Sequence, residues 1–274
     1  MTLREIEETL RQSGVPDARF DALQLAAAFT GRSAAYLLAS RDEALSGAGL
    51  EDAVRRRASR EPLQYILGAW DFMGGTYEVS PDCLIPRADT ETLVEEALRL
   101  VRPGDSVADL CTGSGCIAVS VAERVPCTVT AVELFPKTAA IAGRNAAKHG
   151  VSDRVKIIVG DVCRDVFAPG ELFDLILSNP PYVTAEEMET LEPELSFEPR
   201  AALTDGGDGL SILRAIIDIY PAHLAPGGTM LLEHGADEGA AVREMAEQHG
   251  LLAETLRDAG GRERCTRISP GQDR

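Results

Sequence analysis

From Thr90 onward, short β-branched and apolar stretches alternate with stretches of helical periodicity, and no other feature constrains the fold of this 274-residue chain as strongly. Strands are expected at Ser106–Leu110, Thr128–Val132, Val155–Val159, Phe173–Ser178, Thr229–Glu233, Leu251–Leu256 and Glu263–Ile268. Helices are expected at Glu91–Leu100, Cys116–Glu123, Pro136–Lys148, Gly209–His223 and Glu238–His249. Such alternation is the mark of an α/β fold, a parallel sheet with helices on its faces.

The first third reads differently. Leu3, Ile6 and Leu10 share a helical face, and a second helix runs from a capping Asp17 to a terminating Gly31. A further helix starts at the capping Ser33, and another covers Leu50 to Ser59. Between Trp70 and Pro86 a Gly-Gly pair separates two short strand-like stretches, which suggests a hairpin connector. The expected organisation is a helical amino-terminal domain over 1–69, a hairpin linker over 70–86 and an α/β domain over 87–274.

Composition removes several function classes. No apolar run approaches the roughly 18 residues that span a bilayer, and the charged start is unlike a signal peptide, so a cytoplasmic protein without membrane contact is expected. The six cysteines form no C-x-x-C pair and have no histidines at ligand spacing, so neither a disulfide framework nor a metal is expected. The net charge of −17 disfavours a nucleic-acid substrate, because such affinity depends on cations that neutralise phosphates. The run Arg55 to Arg60 is one candidate basic patch, and its plainer reading is a solvated helix face.

On an open parallel sheet, ligands bind outside the carboxyl ends of the strands where the strand order reverses. After the first strand, Cys111, Thr112, Gly113, Ser114 and Gly115 form a turn into a helix that lets a ligand approach the backbone. The turn also fits G-x-G-x-x-A through Ala118, which leaves a nicotinamide or flavin dinucleotide, or a structural turn, as readings. After the second strand, Glu133 lies near the spacing at which an acid accepts from ribose hydroxyls. After the third, Asp161 is placed to accept from an adenine amine with Val162 against the ring, or is an ordinary turn aspartate.

The fourth loop, Ser178 to Tyr182, reads SNPPY. This set of residues suits methyl transfer to a conjugated nitrogen. An amide lone pair is delocalised into its carbonyl and is a poor nucleophile. Two acceptors fixed on the two N–H groups hold the nitrogen, raise its electron density and let the lone pair turn toward an electrophilic methyl. The Asn179 side-chain carbonyl and the Pro180 main-chain carbonyl can serve, Pro181 stiffens the segment, and the Tyr182 ring can stack on a flat group. A strong general base is not obligatory, because the nitrogen becomes acidic once alkylated.

With EPLQYILG (Glu61 to Gly68), LIPRADTETLVE (Leu84 to Glu95), DLCTGSG, SNPPY, FEPRAAL (Phe197 to Leu203) and LLEHG (Leu231 to Gly235), the chain resembles the HemK/PrmC family of glutamine methyltransferases. The resemblance implies a seven-stranded, Rossmann-like class I domain dependent on S-adenosylmethionine, preceded by a small helical domain and a hairpin. It implies methylation of the glutamine of the Gly-Gly-Gln motif in class-one peptide-chain release factors. Carried onto this sequence, the donor site is Cys111 to Gly115, Glu133, Asp161, Val162 and Asn179, and the substrate site is Asn179, Pro180, Pro181 and Tyr182. Cys111 stands where the family often has glycine, and Glu133 where it often has aspartate. The alternatives are an amino-methyltransferase acting on DNA or RNA bases, a dinucleotide-dependent oxidoreductase, and a binding module without turnover. Arg87 is read as orienting a loop or pairing with Glu91, and His234 as a hydrogen-bonded core histidine.

Overall fold

The computed structural model describes residues 1–258 and 260–271. The chain divides into two units, one of Met1–Trp70 with Glu192–Phe197, the other of Asp71–Leu191 with the residues from Glu198 onward.

The first unit is helical: α1 (Leu3–Gln12), α2 (Ala18–Thr30), α3 (Ala34–Ala39), α4 (Leu50–Ala58) and α5 (Leu63–Leu67). The start of α1 is a capping box, with the Thr2 hydroxyl accepting from the Glu5 amide and the Glu5 carboxylate accepting from the Thr2 amide. Ser33 caps α3 through the Tyr36 amide, whereas Asp17 precedes α2 without a side-chain cap. Leu3, Ile6 and Leu10 pack with Ala22, Leu25, Leu37 and Val54 in one apolar core.

The arginine run is not simply a solvated face. Arg55 pairs with Asp52 and Arg56 with Glu61, but the Arg57 side chain is only 6% exposed and binds both Asp21 at 2.6 Å and Glu194 at 2.9 Å. Arg60 holds the other Glu194 oxygen at 2.6 Å. A buried guanidinium must be paired, and these carboxylates pair it. Glu194 is held down to about 2, because the hydrogen bonds from Arg60 and Arg57 outweigh the effect of burial.

After the helices comes a hairpin, β1 (Ala69–Phe72) and β2 (Gly75–Glu78). Its turn residues are Met73 and Gly74, both at positive φ, so the turn falls one residue before the Gly-Gly pair. A seven-stranded sheet follows: β3 (Ser106–Leu110), β4 (Thr128–Glu133), β5 (Val155–Val159), β6 (Phe173–Ser178), β7 (Leu224–Glu233), β8 (Leu251–Arg257) and β9 (Glu263–Pro270). The order is β5-β4-β3-β6-β7-β9-β8. The helices are α6 (Glu91–Leu100), α7 (Cys116–Arg124), α8 (Pro136–Lys148), α9 (Ser211–Ile219) and α10 (Gly239–Gln248).

Alternate residues of the central strands enter two cores. Val107, Val129, Leu175 and Leu231 pack with α6 and α7, while Ala108, Val132, Ile176 and Leu232 pack with α9 and α10. One strand departs from the parallel expectation: β9 runs antiparallel to β7 and β8. Only residues 258–262 separate β8 from β9, too few for a crossover to a parallel neighbour. The strand order reverses between β3 and β6, which brings the loops after these strands together.

Candidate active site

The loop after β3 is built by strained but supported backbone. Cys111, Gly113 and Gly115 all have positive φ, at 62°, 58° and 81°. Gly115 packs tightly at positive φ, and a Cβ there would lie 3.0 Å from that of Ala142 in α8, which would have to give way. Cys111 pays the strain of a left-handed L-residue, yet its side chain packs beside the core under α9. Burial, with the nearby Glu133 charge, pushes its thiol up, which leaves it neutral.

Buried carboxylates fix this loop. Asp109, fully buried, accepts from the Thr112 hydroxyl at 2.6 Å and from the Ala118 amide in the first turn of α7 at 3.2 Å. Burial pushes it up to about 7 against those two hydrogen bonds. Glu133, at the end of β4, accepts from the Gly113 amide at 3.0 Å and from the Phe135 amide at 2.9 Å. Burial raises its pKa, and the backbone hydrogen bonds oppose the rise. Asp161 closes a turn by accepting from the Cys163 amide at 3.0 Å.

One cavity gathers these groups. It is lined by Cys111 to Ser114, Glu133, Asp161, Val162, Asn179 and Pro181. Leu134, Phe135 and Ile212 add apolar walls, and Arg87, Thr90 and Pro199 line it as well. Of the residues expected in the donor and substrate sites, Gly115, Pro180 and Tyr182 do not line it. Gly115 instead supports the turn from behind, and the Tyr182 hydroxyl donates to Glu233 at 3.2 Å.

The stretch before the sheet is held to the stretch after the NPPY loop. Glu198 accepts from the Ile85 amide at 3.1 Å and binds the Arg87 guanidinium. Arg87 therefore pairs with Glu198, and Glu91 accepts from the Met73 amide instead. His234 is fully buried between Gly235 O at 2.8 Å and the Thr266 hydroxyl at 2.9 Å, as a core histidine should be, and burial lowers its pKa. The segment around Asp205 is hydrogen-bonded in place, its carboxylate accepting from the amides of Gly207, Gly209 and Ser211.

Sequence reasoning gave no role to Thr90 or Glu233. Asn179 donates its Nδ2 to the Thr90 hydroxyl at 3.0 Å. Both residues lay within quoted motifs, LIPRADTE and LLEHG, but nothing in one strand's pattern reveals what its last side chain faces.

The sheet and cavity define a methyltransferase fold. Solved structures share it: a methyltransferase from Pyrococcus furiosus has a TM-score of 0.57 at 20% identity, covering 78% of this chain and 96% of that one. A ribosomal protein L11 methylase from Lactobacillus delbrueckii gives 0.50 at 21% identity over 68% and 81%. The family models for the PrmC N-terminal domain and the methyltransferase small domain match residues 2–68 and 89–225. The release factor glutamine methyltransferase of Bordetella pertussis is 42% identical over 97% of this chain and 98% of its own. That of Salmonella typhimurium is 41% identical over 98% of each, and that of Geobacter sulfurreducens 41% over 93% and 90%. The chain belongs to the release factor glutamine methyltransferase family.

Proposed function

We propose that the chain transfers a methyl group from S-adenosylmethionine to the side-chain amide nitrogen of the glutamine in the Gly-Gly-Gln motif of class-one peptide-chain release factors. The observation that carries this reading is a cavity that joins the Cys111 to Ser114 turn, Glu133 and Asp161 to Asn179. The residues fit the donor. Glu133 and Asp161 keep lone pairs beyond their backbone hydrogen bonds, enough for a ribose diol and an adenine amine, and Val162 offers an apolar face. When bound, the donor supplies an electrophilic methyl and leaves as a neutral thioether.

Asn179 and Pro180 act on the other reactant. Because Asn179 gives its Nδ2 to Thr90, its Oδ1 is left to accept from one N–H of the substrate amide. The Pro180 carbonyl accepts from the other, Pro181 stiffens the segment, and Tyr182 contributes its ring to the flat group. The proton is lost after the nitrogen is alkylated.

In this reading residues 1–69 recognise the protein substrate, 70–86 link, and 87–274 carry the chemistry. Such a substrate is met in the cytoplasm. A DNA or RNA substrate is disfavoured because Arg55, Arg56, Arg57 and Arg60 are each paired with a carboxylate and the net charge is −17.

The test is methyl transfer from labelled S-adenosylmethionine to purified class-one release factor, beside a Gly-Gly-Ala variant of the motif and duplex DNA. Label on the intact motif alone is the expected result. Label on DNA would overturn the substrate assignment.

A further inference from the structure

Arg87 lines the cavity, and the reaction described so far gives it no task. Among the described residues that line the cavity it is the one cation, against the carboxylates of Asp82, Glu133 and Asp161. Its side chain is 34% exposed and is gripped by Glu198, whose own side chain is only 1% exposed. Arg87 donates from Nη2 to one Glu198 oxygen, and the Ile85 amide donates to the other at 3.1 Å. One buried carboxylate thus fixes both the guanidinium and the backbone just before it. That contact leaves most of the five guanidinium N–H donors for a further acceptor.

The strand order shows which end of the cavity Arg87 serves. The cavity runs across the carboxyl ends of β5, β4, β3 and β6, from Asp161 and Glu133 to the Cys111 to Ser114 turn and Asn179. Arg87 stands at the Asn179 end, because its carbonyl accepts from the Thr90 amide at 3.2 Å and the Thr90 hydroxyl accepts from Asn179 at 3.0 Å. A donor with its adenosine at Glu133 and Asp161 extends its aminoacyl tail toward that end. The tail carries an ammonium and a carboxylate. Three cavity acids favour the ammonium and the sulfonium but repel the carboxylate, so that group needs a local partner. A guanidinium, whose planar fork matches a carboxylate, is such a partner.

We propose that Arg87 binds the carboxylate of the donor's aminoacyl tail, and that Glu198 is a positioning residue that aims the Arg87 guanidinium at it. The inference rests on the reading that this cavity takes S-adenosylmethionine. Because Glu198 offsets the Arg87 charge, the guanidinium acts as an aimed set of hydrogen-bond donors, which suits a tail that is itself a zwitterion. Glu198 also heads the stretch whose Pro199, Ala201 and Ala202 line the cavity, so the ion pair ties that wall to the residue that holds the tail.

The test is calorimetric and needs no acceptor. It compares S-adenosylmethionine with its decarboxylated analogue, which keeps the sulfonium and the amine and lacks only the carboxylate. The wild type is expected to bind the intact donor about tenfold to a hundredfold more tightly, the range for a hydrogen bond between charged groups. Arg87→Met abolishes this preference by weakening the intact donor alone. Arg87→Lys keeps part of it, as a charge without the fork. Glu198→Gln lowers it as well, and adding Glu198→Gln to Arg87→Met changes it no further.

A ratio of two affinities in one variant is blind to a general loss of folding, which weakens both ligands together. Equal wild-type affinity for the two ligands, an undiminished preference in Arg87→Met, or parallel losses for both would overturn the assignment of Arg87. An undiminished preference in Glu198→Gln would overturn the role given to Glu198. A wild type that binds neither ligand would refute the donor reading itself, and the inference would fall with it.

Discussion

The Gly113 amide lies 3.0 Å from Oε2 of Glu133, which joins the turn after β3 to the end of β4. One carboxylate thus shapes the loop and faces the cavity. Glu133→Ala is expected to weaken S-adenosylmethionine binding by about 1–3 kcal/mol, the range for a hydrogen bond to a charged group. Calorimetric titration checks it, and an unchanged affinity would remove Glu133 from the donor site.

Cys111 has a φ of 62°, in the left-handed region that favours glycine. Cys111→Gly relieves the left-handed strain but loses a packed thiol, so its stability should stay within about 1 kcal/mol of the wild type. Cys111→Val keeps the strain and crowds it with a branched Cβ, at a cost of about 1–3 kcal/mol. Urea unfolding midpoints measure both, and a valine variant as stable as the wild type would contradict the argument.

Gly209 passes against the NPPY loop. A Cβ there would lie 2.2 Å from the Tyr182 carbonyl oxygen and 2.7 Å from Glu238 Oε1. Gly209→Ala must therefore displace the Tyr182 backbone. Because small misplacements of a reacting geometry are costly, methyl transfer should fall about tenfold or more while donor affinity holds. Full activity in this variant would show that the loop yields without consequence.

Asp109 gives a pH signature. Burial raises its folded pKa to about 7, so the folded state binds the proton more tightly than the unfolded chain. Its contribution to stability is present in acid and is lost as pH rises through about 7. Asp109→Asn lacks this dependence, so its stability relative to the wild type should improve from pH 5 to 8. Thermal melts of both across that range check the slope, and parallel curves would mean that Asp109 does not titrate there.

The strands were legible because buried central strands are short, apolar and bounded by turns: β3, β5 and β6 match their expected bounds. Where the reading slipped, the cause was contact at a distance. Leu224 joins β7 ahead of its expected start because it pairs with Phe173 across the sheet. Arg57 looked like one more solvated arginine, and only its packing against Asp21 and Glu194 buries it.

The sequence by itself determined the α/β alternation, the helical first third, and the loops that carry Gly113, Glu133, Asp161 and Asn179, because propensity and periodicity are local properties of the chain. The tertiary structure alone decided that Arg87 pairs with Glu198, that Asn179 meets Thr90, and that Tyr182 meets Glu233. These are contacts between residues 51 to 111 positions apart, and a buried charge finds its partners only when the chain has packed around it.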